Sequence, residues 1–226
     1  YTLEALGVTK LCAGPTRLAA KAGHNGEMHN HNDVGSFILH RGGTCFLTDP
    51  GRPVYSRKTF SEHRYESVFC NSFGHSVPAV NGERQAPGQE FAGALAVESG
   101  EGGAKVARIE LAGAYPAEAH LRRLSRRLAL ASDGAALELQ DEFAFDAPAQ
   151  SLEEAFITIL PAEVMDDGAA VRIDGGADGT CDLRAVGSPG QFAVTELTEE
   201  SRAEAGDDRL LRRITFRPAA LAPEMT

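Results

Sequence analysis

The chain has 226 residues and a mass of 24.0 kDa, with 42% hydrophobic and 24% charged residues, a composition that excludes wholesale disorder. It contains no run of roughly 18 apolar residues, which argues against a membrane-spanning helix. The formal net charge of −10 argues against nucleic-acid binding, because few cations are left to neutralise phosphates. Residues 1–80 carry 8 basic and 6 acidic side chains, with six of the seven histidines, whereas residues 81–226 carry 14 and 26. We therefore expect the chemistry in the N-terminal third.

Short apolar segments separated by glycine and proline predict an all-β fold. In chain order, residues 35–40 and 45–48 flank Arg41–Gly43 and predict a hairpin. Residues 105–112 predict a further strand, with imperfect alternation of apolar side chains. Together these segments indicate that strands begin early in the chain and continue into its middle.

The clearest hairpin signal lies in the middle of the chain. Residues 124–130 place three leucines on one face, Ser132–Gly134 is a turn signal, and residues 137–145 resume the alternation. Further strands are predicted at 156–160, 171–174, 181–186, 191–197 and 210–216. Because no helices alternate with them, the strands favour an antiparallel sandwich or barrel.

Helical signal is weak throughout the sequence. Residues 116–124 alone have several good helix formers in a row, and a simple lead into a strand is the alternative interpretation of this segment. The acidic segment 196–208 is interpreted as a solvated loop. We therefore predict one β domain over residues 1–226.

The stretch His29-Asn30-His31-Asn32-Asp33 is the most informative part of the sequence. In extended backbone, side chains two residues apart share a face at roughly 6.6 Å, which predicts that His29, His31 and Asp33 project to one side. Asp49 and His75 each follow a β segment. Two imidazoles and one carboxylate, from His31, Asp49 and His75, form an acceptable zinc site.

The four cysteines, Cys12, Cys45, Cys70 and Cys181, contain no CxxC pair, so a thiolate zinc site is not predicted. They are expected to be isolated thiols. One or two disulfides stay open as an alternative for an exported protein.

The sequence resembles the heparinase II/III-like family of polysaccharide lyases in three segments: KAGHNGEMHNHNDVGSFIL, LTDPGRPVYSRKTFSEHRYES and NSFGHSVPAVNGERQAPG. The resemblance implies a large antiparallel β-sandwich of the supersandwich type, preceded in family members by an α/α toroid of helices. Such enzymes cleave uronic-acid polysaccharides by β-elimination. Residues 1–226 resemble the sandwich alone, so we expect the helical domain, with its catalytic tyrosine, to be absent from this chain and the chain alone to be inactive.

The resemblance also assigns roles to individual residues. It implies that His29 is catalytic, that Asn30 and Tyr55 bind substrate, and that His31, Asp49 and His75 hold a structural zinc ion. The implied partners are an acidic polysaccharide or oligosaccharide and the missing helical domain. The parent protein is expected to be periplasmic or secreted.

Two other interpretations compete with the lyase. A metal-dependent cupin also carries a His-x-His pair on a strand, but it normally has a glutamate four or five residues later, where this chain has Gly35 and Ser36. A non-catalytic carbohydrate-binding sandwich would need aromatic platforms, and the chain has no tryptophan and four tyrosines.

Overall fold

The computed structural model describes all of residues 1–226 and consists mainly of antiparallel strands. The elements, in chain order, are β1 (Thr2–Leu3), β2 (Val8–Ala13), β3 (Thr16–Lys21), β4 (Gly23–Asn25), β5 (Phe37–Arg41), β6 (Thr44–Leu47), β7 (Ala79–Val80), β8 (Gly88–Ser99), β9 (Lys105–Glu110), β10 (Leu121–Leu130), β11 (Leu137–Phe145), β12 (Leu152–Thr158), β13 (Ala162–Met165), β14 (Ala170–Asp174), β15 (Thr180–Arg184), β16 (Gly190–Glu196), α1 (Thr198–Glu204), β17 (Arg212–Pro218) and β18 (Glu224–Met225). No helix is both long enough and apolar enough to cross a membrane.

The strands form four sheets in which every pairing is antiparallel. The strand orders are β1-β2-β3-β5-β6, β18-β11-β10-β9-β8-β4, β16-β17-β12-β7 and β13-β14-β15. The main hydrophobic core contains 28 buried residues contributed by all four sheets. This arrangement confirms the predicted antiparallel β-sandwich, and the barrel alternative is wrong.

The central hairpin of β10 and β11 follows the predicted alternation. Leu124 pairs with Phe143 and Leu128 pairs with Leu139 across the two strands. Leu124, Leu128 and Leu130 are fully buried, because residues of one parity face the sandwich interior. The hairpin predicted around residues 41–43 also forms, and the strands predicted at 171–174 and 181–186 pair with each other.

One prediction about local structure is wrong and one alternative is confirmed. Residues 116–124 lead into a strand rather than forming a helix: a single 3₁₀ turn, Ala117–Ala119, precedes strand β10. The segment 196–208 is not simply a solvated loop, because it contains α1. Its Ser201 side chain is buried, donates to the carbonyl of Leu197 and accepts from the amide of Leu211.

Helix α1 belongs to a second, smaller apolar cluster. Leu197, Ala205 and Leu211, which flank the helix, pack there with Val68, Phe69 and Ile157. Because these contacts join residues far apart in the sequence, the acidic composition of the segment itself does not predict them.

All four cysteines are free thiols, as expected.

A buried ion network ties strands of different sheets together. The guanidinium of Arg126 on β10 is fully buried and binds Asp141 of β11 through Nε–Oδ1 and Nη2–Oδ2 bonds of 2.9 and 2.6 Å. It also donates to Glu154 of β12 at 3.0 Å. Burial, followed by the nearby charge of Asp141, raises the pKa of Glu154 well above its ordinary value.

We predict that Leu128→Ala lowers the free energy of unfolding by about 2–5 kcal/mol, because it leaves a cavity in the 28-residue core. Val186→Ala is the matched control: Val186 is 91% exposed, so a change of at most about 0.5 kcal/mol is expected. Urea unfolding followed by circular dichroism measures both. A loss below about 1 kcal/mol for Leu128→Ala would contradict the packing described.

Candidate functional site

Three loops at one end of the sandwich bring His31, Asp49 and His75 together. The rings of His31 and His75 have centroids 5.2 Å apart. The Nδ1 atom of His75 lies 3.0 Å from the Oδ2 atom of Asp49. One potential ligand atom from each residue lies within 4.8 Å of the others. The structure therefore places the three predicted ligands in one cluster.

Local sequence explains how Asp49 reaches this cluster. It lies just after β6, where the amide of Thr48 donates to the carbonyl of Ile157 on β12. Pro50 and Gly51 then turn the chain, with Gly51 at φ +74° and its amide donating to Asp49 Oδ1 at 2.7 Å. The turn uses one carboxylate oxygen and leaves Oδ2 directed at His75.

His75 is held by the loop that precedes it. Asn71 caps a 3₁₀ turn by accepting a hydrogen bond from the amide of Phe73, and His75 follows that turn. The Nε2 atom of His75 lies 3.3 Å from the carbonyl oxygen of Phe69. Because Nε2–H donates to this carbonyl, Nδ1 is the ring atom that faces Asp49, and it would coordinate a metal after giving up the proton that it shares with the carboxylate.

Burial and mutual charge set the pKa values in the cluster. Burial lowers the pKa of His75, but the Asp49 carboxylate outweighs it, so the net shift is upward. Partial burial raises the pKa of Asp49, but His75 and the hydrogen bonds to the carboxylate hold it well below its usual range. Burial, and then the neighbouring His75, lower the pKa of His31 to about 4.

The donor set suits a zinc ion. Two ligand atoms bound about 2.0–2.2 Å from one tetrahedral ion lie roughly 3.3–3.6 Å apart, close to the 3.0 Å between His75 Nδ1 and Asp49 Oδ2. The neutral imidazole of His31 and the ionised carboxylate of Asp49 are in the protonation states that coordination requires. These three residues could hold the metal once His75, whose pKa is raised, releases its proton and the ligand atoms, which lie within 4.8 Å of one another, draw together.

His29 lies apart from this cluster, on the surface. Its φ of +59° is left-handed rather than extended, and its ring stacks at 6.1 Å from Tyr55 and meets the edge of Phe60 at 5.9 Å. Asp33 instead forms an ion pair with Lys21. The expectation that His29, His31 and Asp33 share one face is wrong, because the turn at His29 breaks the alternation.

Asn30 ends this turn, where its amide donates to the carbonyl of Glu27 at 3.2 Å, and its side chain is hydrogen-bonded within the protein. Its Oδ1 accepts from the hydroxyl of Tyr65 at 2.8 Å, and its Nδ2 donates to the carbonyls of Asn25 and His31. Its own carbonyl accepts two bonds from Arg64, at 2.7 and 3.2 Å. This role of Arg64 and Tyr65 is not predictable from the sequence, because no local pattern links them to Asn30.

The family model described as heparinase II/III-like, C-terminal, matches residues 2–209. The chain belongs to this family. Among solved structures, a mutant of the heparan sulfate lyase HepC from Pedobacter heparinus matches with a TM-score of 0.72 and 16% identity, covering 97% of this chain and 34% of that chain. A heparinase III gene product matches with a TM-score of 0.67 and 15% identity, covering 93% and 32%.

This heparinase II/III-like domain thus spans about a third of the length of the solved structures it resembles. No curated protein matches the sequence. The family membership agrees with the resemblance carried by the His29–Asp33, Asp49 and His75 segments, and the structural likeness shows the sandwich fold.

We predict that His31 makes the chelator-treated protein less stable as the pH falls from 6.5 to about 4. In this window the unfolded state binds a proton that the buried, folded His31 does not. The free energy of unfolding should fall by up to about 1.4 kcal/mol per pH unit for this one proton. The other two groups contribute with a different pH dependence. His75 stabilises the folded state at pH values below its ordinary pKa, and Asp49 stabilises it at pH values above its ordinary pKa.

The His31 contribution is isolated by comparing the wild type with His31→Gln in urea unfolding at pH 7, 6 and 5. Relative to the wild type, the glutamine variant should gain stability as the pH falls from 7 to 5, because it lacks the destabilising proton uptake of His31. His63→Gln is the control, because His63 is exposed and lies outside the cluster. Equal slopes for His31→Gln and the wild type would contradict a buried, neutral His31.

Proposed function

We propose that this domain is the β-sandwich part of a polysaccharide lyase that cleaves uronic-acid-containing glycans by β-elimination. The observation that supports this most is the exposed His29, held in a left-handed turn beside the rings of Tyr55 and Phe60. An imidazole has its ordinary pKa near neutral pH, which suits proton transfer. A ring fixed at an aromatic surface is also suited to meet a sugar.

β-Elimination removes the C5 proton of a uronate and expels the oxygen on C4, while negative charge builds on the carboxylate. His29 exchanges a proton with the substrate in this proposal, as a base or as a donor. Tyr55, which is exposed and lies under the guanidinium of Arg52 at 5.0 Å, binds the sugar. Asn30 binds substrate only by exchanging its Tyr65 hydrogen bond for one to the glycan.

The remaining catalytic groups come from a helical domain in this proposal. Around His29, Met28 is 89% and Phe60 62% exposed, and Val54 is exposed beside them. A cluster of exposed apolar side chains of this kind is typical of a surface that another domain covers. Because the chain spans about a third of its structural relatives, such a domain has a natural place in the parent protein.

Zinc has a structural role in this proposal. His31, Asp49 and His75 would hold the ion, and its charge would cross-link three loops that lack regular strand pairing. The reacting group, His29, is not one of the three ligands. The ion therefore stabilises the surface on which His29 lies and takes no part in the proton transfer.

We predict that the 226-residue chain alone gives no turnover, whereas the parent protein with its helical domain does. Acid–base groups typically contribute about 10²–10⁴-fold each, so losing several leaves no measurable rate. The assay is the ultraviolet absorbance of the unsaturated uronate product on heparin, heparan sulfate, hyaluronan, chondroitin and alginate. Clear turnover by the chain alone would contradict a site divided between two domains.

In the parent protein, His29→Ala should lower kcat by about 10²-fold or more with the fold intact. His63→Ala is the matched control, because His63 is an exposed histidine nearby that is bonded to Glu66 at 2.7 Å. A near-wild-type rate for His29→Ala would assign the His29 turn a purely structural role. Glycan binding by a parent protein that cleaves none of the five polymers would favour the carbohydrate-binding alternative.

We predict that zinc raises the melting temperature of the chelator-treated chain. At a hundredfold excess over the dissociation constant, binding contributes about 2.7 kcal/mol, or roughly 5–11 °C for a domain of this size. Asp49→Asn should largely remove this gain, whereas Asp174→Asn, an exposed residue on β14, should keep it. The affinity for zinc should decrease as the pH is lowered, because histidine must be neutral to coordinate a metal. A wild-type chain with no zinc-dependent shift would refute the metal site.

A further inference from the structure

The loops that carry His31 and His75 lie outside the regular strands, so their positions depend on contacts from elsewhere in the fold. These are residues 29–36, between β4 and β5, and residues 71–78, before β7. Two buried residues that belong to neither loop, Arg126 and Gln85, contact both, Arg126 through its side chain and Gln85 through its side chain and backbone.

Arg126 reaches the loops with the edge of its guanidinium that Asp141 leaves free. Its Nη1 atom donates to the carbonyl of Gly35 at 3.0 Å and to the carbonyl of Ser76 at 2.7 Å. Gly35 lies four residues after His31, and Ser76 directly follows His75. The carboxylates of Asp141 and Glu154 fix the rest of the guanidinium, so Nη1 is a rigid anchor.

Gln85 makes a second connection between the same loops. Its side chain accepts from the amide of Val34 at 3.0 Å and donates to the carbonyl of Val34 at 2.6 Å. Its backbone accepts from the side chain of Asn32 at 3.2 Å and donates to the hydroxyl of Ser72 at 3.0 Å. Both loops are therefore joined at two separate points.

We propose that Arg126 and Gln85 are positioning residues of the His31–Asp49–His75 centre, which keep the two histidine loops at a fixed separation before any metal binds. The inference deepens the proposed zinc site and rests on it for its metal-binding consequence. A ligand pair held in place binds a metal more tightly, because the ordering of the loops does not have to occur during binding.

The test uses Arg126→Lys and Gln85→Leu in the 226-residue chain. Lysine keeps the charge but has one nitrogen in place of three, so it cannot hold Asp141, Glu154 and both carbonyls together. Leucine keeps much of the volume of Gln85 and loses its side-chain bonds. Thr16→Val is the control: it removes a buried hydrogen bond to the carbonyl of Gly134 and touches neither loop.

Two measurements are made on each variant. Cobalt(II), a spectroscopic substitute for zinc, is titrated into metal-free protein and followed by absorbance. Backbone hydrogen exchange is measured in metal-free protein for the amides of Asn32, Gly35 and Val77, which donate to the carbonyls of Cys70, Lys21 and His75, and is compared with amides of β10 and β11.

We expect both variants to bind cobalt roughly 10–100-fold more weakly than the wild type, the range typical of residues that orient metal ligands. Exchange at the three loop amides should accelerate at least tenfold more than exchange in β10 and β11. Thr16→Val should change cobalt affinity and loop exchange by less than about twofold.

The outcomes separate the two proposals. If the wild type binds no cobalt but the variants loosen the loops selectively, the zinc site fails and the positioning role stands. The positioning role is overturned if two results occur together in Arg126→Lys and Gln85→Leu. Hydrogen exchange at the loop amides rises no more than exchange in β10 and β11, and cobalt affinity either equals that of the wild type or falls no further than in Thr16→Val. Should Arg126→Lys fail to fold, Gln85→Leu decides through the amides of Asn32 and Gly35, because it leaves the ion network intact and removes the side-chain bonds to Val34 in the His31 loop.

Discussion

The buried guanidinium of Arg126 is the interaction on which the rest of the structure depends. Placing a cation in the interior is costly, and it is tolerated because Asp141, Glu154 and two backbone carbonyls supply its hydrogen bonds. Arg126 lies on β10 and its partners lie on β11, β12 and two loops, so one side chain connects the sheets with the site. Removing one partner of such a group typically costs about 3–5 kcal/mol, because an uncompensated buried charge is left behind.

The strands and the loops of this domain have different roles. The sheets supply a stiff, antiparallel frame with a continuous apolar core. The loops at one end supply the imidazoles, the carboxylate and the aromatic rings. This is the usual arrangement for function on a β-sandwich, because backbone outside the sheets is free to adopt the conformations that a site requires. Strand β12 links the two parts, since Ile157 bonds to both Thr48 and Ser76.

The sequence predicts what is local or periodic. Alternating leucines predict the β10–β11 hairpin, and the motif segments predict that His31, Asp49 and His75 converge. The turn at His29 could not be predicted from alternation, since the adjacent Asn30 is held by Arg64 and Tyr65, 34 and 35 positions away from it. Helix α1 and the burial of Arg126 could not be predicted for the same reason. Charged residues are expected at the surface unless partners that are distant in the sequence are known.

At His29 the left-handed backbone conformation, which shapes the turn, and the imidazole side chain are independent of each other. Asparagine and glycine adopt this conformation readily, whereas β-branched residues do not. An exchange of His29 for asparagine would therefore preserve the turn, the neighbouring metal ligands and the sandwich while deleting the imidazole. In the proposed lyase, this exchange would remove the proton-transferring group and leave the surface that faces the glycan unchanged.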